Sequence, residues 1–93
     1  MTSRSEFIKG CNFVESLGNT DDLDDFKNIN QSGFYFINAC INNPTGVSTG
    51  FMILIANNNN VTLQIVVPTN VGKMCMRKYG SGTWTAWTSA TFS

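Results

Sequence analysis

The sequence predicts a small, mainly β protein, an antiparallel meander or sandwich of about five strands with one short N-terminal helix. From Gly33 onward, apolar residues recur with a period of two or form short continuous runs. Turn-forming Gly, Pro and Asn residues separate these runs at short intervals. The length of 93 residues fits one domain. We interpret residues 1–19 as a leader or connector segment and residues 20–93 as the β domain.

A short helix is predicted in the stretch "TDDLDDFKN", residues 20–28. Thr20 can cap the helix, and the first aspartates suit the positive end of its dipole. Leu23 and Phe26 are three residues apart and fall on one face. The four aspartates lack the spacing of a calcium-binding EF-hand loop, so we interpret them as helix-start charges and predict no metal site.

The predicted strands differ in how many faces they must bury. The stretch "VTLQIVV" alternates, with Val61, Leu63, Ile65 and Val67 on one side and Thr62, Gln64 and Val66 on the other. The runs at 34–39 and 51–56 are apolar on both faces and therefore need cover on both. The helix and the lead-in can cover one face, and copies of the same chain would cover it better. In chain order, the predicted strands are residues 33–40, 51–56, 61–67, 72–79 and 83–88.

Composition excludes several classes of partner. Only 13% of the residues are charged and the net charge is zero, whereas about 25% charged residues is usual. Binding to nucleic acid through counterion release is therefore not expected, nor is membrane insertion, because no apolar run approaches the length of a membrane helix. About a third of the residues are Asn, Thr or Ser, a surface that suits neutral, hydroxyl-rich ligands.

Enzymatic and cofactor chemistry have little support in the sequence. There is no histidine for a nucleophile–base pair, and the acidic residues all lie within residues 1–25. Cys11, Cys40 and Cys75 form no zinc motif, and we expect buried free thiols in a protein made in the cytoplasm. We predict no catalytic residue and no cofactor, and residues 1–18 carry no signal-peptide pattern.

The aromatic C-terminal part holds the candidate ligand-binding residues. On a regular strand Trp84 and Trp87 would point to opposite faces, although a bulge would place both on one. Either ring can close the core, fill a subunit interface or stack on a sugar. Arg77 can cover an aromatic ring, pair with an aspartate of residues 21–25, or contact a ligand. Tyr79 beside the Gly-Ser-Gly turn, and Asn43 in the loop "NNPTGVSTG", complete the candidate set; the loop residues also suit turns alone.

An ordered set of motifs over roughly residues 20–90 resembles a known family. In order, the chain reads L-D-D, "SGFYFI", N-P-T-G, "GFMILIA", "LQIVV", an arginine, and "GTWTAW". This pattern resembles the small knob-type β domain near the C-terminus of phage and pyocin tail fibres. Two departures are the absence of a fibre shaft and the methionines that flank Cys75. The matching positions are Leu23, Asp24, Gly33, Tyr35, Pro44, Gly50, Gln64, Ile65, Arg77, Trp84 and Trp87.

The resemblance implies a non-enzymatic fibre tip or virion surface domain that attaches to bacterial surface glycans. It also implies a homotrimer, contacts with other virion or fibre proteins, and a location on the tail fibre or particle surface. The two-sided apolar strands favour an alternative, a purely structural virion component such as a trimerisation cap, spacer or capsid decoration. In that alternative the tryptophans pack inside.

Overall fold

The computed structural model describes residues 14–57 and 61–91, which form one curled, mixed β sheet. The mainly β class is confirmed, but the described residues contain seven strands rather than five and a single sheet rather than a sandwich. The strands are β1 Val14–Leu17, β2 Gly33–Asn38, β3 Thr49–Ala56, β4 Thr62–Pro68, β5 Lys73–Gly80, β6 Thr83–Trp84 and β7 Thr88–Thr91.

Strands β2 to β5 form the antiparallel meander that the sequence predicts, each strand pairing with the next. The sheet is mixed because β1 pairs in parallel with β2. A parallel pair needs a crossover connection rather than a tight turn, and residues 18–32 supply it. β1 lies within the segment 1–19 that we interpreted as a leader or connector.

The predicted helix over residues 20–28 is replaced by a single 3-10 turn at Leu23–Asp25, followed by a second at Ile29–Gln31. The Asp22 carboxylate accepts a hydrogen bond from the Asp24 N–H at 2.9 Å and starts the first turn. The turn does not extend because side chains of the sheet bind the next backbone carbonyls. Gln64 donates to the carbonyls of Leu23 and Phe26, and Thr62 donates to that of Lys27.

The crossover segment covers one side of the sheet, which we call the inner face, and the core lies beneath it. Leu23 from the 3-10 turn is fully buried there, against Ile37, Met52, Leu54 and Val66 from the strands. The β4 alternation is confirmed, with the row of Thr62, Gln64 and Val66 on the inner face. The more apolar row of β4 therefore lies on the opposite side, which we call the outer face.

Gly50 is required where β3 and β4 come closest. A Cβ atom at this position would lie 2.8 Å from the Val67 carbonyl oxygen and 2.9 Å from the Pro68 Cα. Backbone atoms cannot move aside as a flexible side chain can, so only glycine fits here. β4 ends at Pro68, as the sequence predicts.

Candidate functional site

Both tryptophans lie on the inner face because the last predicted strand is interrupted. β6 pairs Trp84 with Tyr79, and β7 pairs Thr88 with Met76. Two residues of β5 thus lie opposite the three residues 85–87, the count of a β-bulge. The extra residue shifts the alternation by one, so the expectation of opposite faces is wrong and the bulge alternative holds. The rings of Trp84 and Trp87 then flank one arginine.

That arginine, Arg77, lies between the two indole rings. Its guanidinium carbon is 3.9 Å from the ring centroid of Trp84 and 4.6 Å from that of Trp87. Tyr79 packs edge-on against Trp84, with centroids 5.2 Å apart. A buried guanidinium over tryptophan gains a cation–π attraction of up to about 2 kcal/mol. We call Arg77, Trp84 and Trp87 the arginine stack.

Hydrogen bonds and an ion pair fix the plane of the guanidinium. Arg77 Nε donates to Gln64 Oε1 at 2.8 Å, and Nη1 lies 2.8 Å from Asp24 Oδ1. Only 5% of the Arg77 side chain is exposed, against 43% for Asp24. Burial lowers the pKa of Arg77, and the hydrogen bond and charge of Asp24 oppose that shift. Asp24 therefore neutralises a charge that would be costly to bury alone.

The indole N–H groups of the arginine stack bind backbone carbonyls rather than pointing into solvent. Trp84 Nε1 donates to the Asp24 carbonyl at 3.3 Å, and Trp87 Nε1 donates to the Asn42 carbonyl at 3.0 Å. Together with Gln64 and Thr62, these donors bind carbonyls of irregular backbone, although the Leu23 carbonyl also accepts from the Phe26 N–H and the Asp24 carbonyl from Lys27 Nζ. The stack thus attaches the crossover segment and the loop after β2 to the sheet.

A small cavity of about 170 Å³ lies beside Trp87. Ligand pockets usually measure about 300–1,000 Å³, so this one has room for a single small group. Lys73 at its wall donates to the Thr45 carbonyl at 3.2 Å. Hydroxyl side chains contribute much of the surface. The lining residues are Pro44, Thr45, Lys73, Cys75, Trp87, Thr88 and Ser89.

The structure brings most of the sequence-predicted site residues together. Arg77, Trp84, Trp87 and Tyr79 form one cluster, with Arg77 both covering aromatic rings and pairing with an aspartate. Asn43 lies in the loop that binds Trp87 and donates to the Val47 carbonyl at 3.0 Å. Ligand binding by any of the five stays a prediction.

Gln64 and Asp24 complete the cluster, and the sequence singles out neither of them as part of a site. Gln64 is in phase with Thr62 on an alternating strand, a pattern that favours solvent exposure, yet it is fully buried. Asp24 belongs to a run of four aspartates, and nothing in that run marks the one that pairs with Arg77. Lys73 and Ser89 at the cavity carried no signal.

The described thiols are chemically quiet, as expected. Cys40 and Cys75 are free and buried, and burial raises the pKa of each, which disfavours the reactive thiolate. Cys11 lies outside the described residues. Within 14–57 and 61–91 no group of three or more acidic, cysteine or histidine side chains is placed to hold a metal ion. No helix in the same residues is long and apolar enough to cross a membrane.

Comparison with known proteins finds a family match. The family model described as the XkdV N-terminal domain matches residues 15–90, most of the chain and nearly all of the sheet. No curated protein and no solved structure matches the chain.

Proposed function

This chain belongs to the XkdV N-terminal domain family, which is phage-related, and on that premise we propose that it is a non-enzymatic structural component of a virion. Its place is the tail fibre or particle surface, where it contacts other virion proteins and associates as a homotrimer. The proposal is broader than the tail-fibre knob of the resemblance, because the family match is not specific to that domain.

The observation that carries this proposal is the internal use of the arginine stack. Residues that would form a ligand platform instead bind one another and the backbone of the covering segments. Arg77 is almost fully buried and paired with Asp24. A buried polar network of this kind rigidifies a small domain, a property that suits a cap or spacer in a particle.

Incorporation into particles tests the structural role. We expect mass spectrometry of phage particles purified from the producing host to detect the chain in a fixed ratio to the major structural proteins. Deleting its gene should yield incomplete particles by negative-stain microscopy, and the intact gene supplied in trans should restore them. Absence of the chain from purified particles would refute the proposal.

Attachment to bacterial surface glycans is the second candidate, and the cavity beside Trp87 is the observation that favours it. One side of this indole is occupied by Arg77, while the ring also borders the cavity. Thr45 and Ser89 have hydroxyl groups at the same place, whereas the Thr88 hydroxyl donates to the Met76 carbonyl. An apolar ring face combined with a few polar groups is a usual arrangement for binding a neutral ligand.

Filling the cavity separates the two candidates without disturbing the arginine stack. Ser89→Tyr should block the cavity, and Thr83→Tyr, at an exposed position outside it, is the matched control. If the cavity binds glycan, Ser89→Tyr alone abolishes binding to polysaccharide extracted from host cells and slows particle adsorption. Equal binding by both variants would exclude this cavity as the glycan site, and no binding by the wild type would leave only the structural role.

A further inference from the structure

The outer face of the sheet is a continuous apolar surface on the side opposite the arginine stack. Its rows run across the hydrogen-bonded strands, with Phe51 opposite Val67, Ile53 opposite Ile65, and Ile55 opposite Leu63. Phe51 and Ile55 are 50% and 55% exposed. In the outward rows of β2 to β5 the one charged side chain is Lys78, at one end. The apolar residues of the outer face are Phe36, Phe51, Ile53, Ile55, Leu63, Ile65, Val67, Met74 and Met76.

The orientation of β4 indicates that the outer face packs against another surface. Within one strand, Thr62 and Gln64 are fully buried while Val67 is 36% exposed and Leu63 and Ile65 are half-buried. A strand with one wet face normally points its polar row to water and its apolar row to the core. Here the inner row is polar because it binds the crossover segment. The aliphatic row is thus left to a second interface.

The size of the outer face suits an interface between proteins. Four strands about 4.8 Å apart and six residues long span about 15 by 20 Å, before the relief of the side chains is counted. Two such faces in contact would bury on the order of 1,000 Å², the lower range of specific protein interfaces. A contiguous apolar patch of about 300 Å² is the size of the largest patch on a typical monomer, and such patches are often functional.

We propose that the outer face packs against the same face of neighbouring copies of this chain. The face presents almost no charge, and the whole chain has a net charge of zero, so recognition rests on apolar burial and shape. Aliphatic and aromatic faces of twisted sheets pack against each other about 10 Å apart. The interface deepens the structural role proposed above by giving the surface through which copies associate.

Light scattering on the purified full chain tests this interface. We expect the wild type to have the mass of an oligomer, two copies if two outer faces pack face to face or three if the faces meet around a threefold axis. The double variant Phe51→Ser, Ile55→Ser should fall to the monomer mass. The control, Ile29→Ser with Ile41→Ser, removes two isoleucines that are 50% and 47% exposed outside the outer face and should keep the oligomer. Circular dichroism of both variants checks that the sheet is retained.

Two results would overturn the inference. One is a monomeric wild type across about a hundredfold range of concentration; if its outer face then bound a hydrophobic dye only after Phe7→Ser and Ile8→Ser, residues before Val14 would be the cover instead. The other is an oligomer that survives the Phe51 and Ile55 substitutions with the sheet intact. None of these results bears on whether the chain is present in particles, which the particle experiment decides separately.

Discussion

Arg77 and Gln64 show how two polar residues can form the centre of a small β protein. Gln64 uses its amide N–H groups for two backbone carbonyls and its oxygen for Arg77 Nε. Arg77 then reaches Asp24 while its flat guanidinium lies between two indoles. The geometry depends on a planar group with several fixed donors, which lysine does not have.

Arg77→Lys is therefore expected to lower the free energy of unfolding by about 2–4 kcal/mol. The ammonium group cannot bind Gln64 and Asp24 while stacking on both rings. Urea unfolding followed by tryptophan fluorescence measures the loss. Lys78→Arg, the reverse exchange at an exposed position of the same strand, should change stability little. A similar stability for both variants would show that the stack contributes nothing specific.

Asp22 makes part of the fold dependent on pH. Its carboxylate accepts from Asn42 Nδ2 at 2.8 Å and from the Asp24 N–H at 2.9 Å. These hydrogen bonds, the Asn42 one foremost, lower the pKa of Asp22 from its ordinary value of 3.8. Because the folded pKa is the lower one, the stabilisation is complete above pH 3.8 and is lost as the pH falls through the folded pKa.

Comparing Asp22→Ala with the wild type tests this pH dependence. Loss of the cap should cost about 1 kcal/mol at neutral pH, measured by urea unfolding. The difference between the two proteins should shrink when the same measurement is made at pH 3 and below. A difference that stays constant down to pH 2 would contradict the assignment.

At the scale of elements, the turns were predictable and the interruptions were not. The Gly-Ser-Gly turn is confirmed, since β5 ends at Gly80 and β6 begins at Thr83, with positive φ of 54° at Ser81 and 83° at Gly82. Two central residues of positive φ are the type I′ signature that Gly favours. The bulge at residues 85–87 has no such signature, because threonine and alanine occur in regular strands as well as in bulges.

The close approach of β3 and β4 makes the stability of the protein sensitive to any side chain at Gly50. Gly50→Ala would force backbone against backbone at Val67 and Pro68 and should destabilise the protein by about 1–3 kcal/mol. Gly18→Ala is the matched control, because nothing lies within 4 Å of a Cβ placed there. Thermal unfolding by circular dichroism compares the two. Equal melting temperatures would mean that the strands separate at no cost.

For the molecule as a whole, the sequence predicted the meander and which residues of a strand share a face. It did not predict which of the two faces of the sheet covers the core. On β4, hydrophobicity alone points to the row of Leu63 and Ile65 as the inner one. The inner row is instead Thr62, Gln64 and Val66, since carbonyls some forty residues earlier in the chain need donors. Contacts between residues so far apart in the chain cannot be predicted from a local sequence pattern. The same holds for the pairing of Arg77 with one particular aspartate.

Association through the outer face should make the thermal stability of the protein depend on its concentration. If copies must separate before or during unfolding, the apparent stability depends on concentration by mass action. Each tenfold rise in concentration should raise the melting temperature by a few degrees, as measured by differential scanning calorimetry. The Phe51→Ser, Ile55→Ser variant should show no such dependence, and a wild type without it would argue against association.

The way the crossover segment is held has a consequence for how this chain can diverge. Thr62, Gln64 and Trp84 donate their hydrogen bonds to backbone carbonyls within residues 23–27, and these bonds do not depend on which side chains occupy those positions. An exposed position such as Asp25 can therefore change to other residue types while the path of the crossover segment is kept. Variation among relatives should accumulate at the exposed positions of the crossover segment, whereas Leu23, Asp24 and the three donors stay constant.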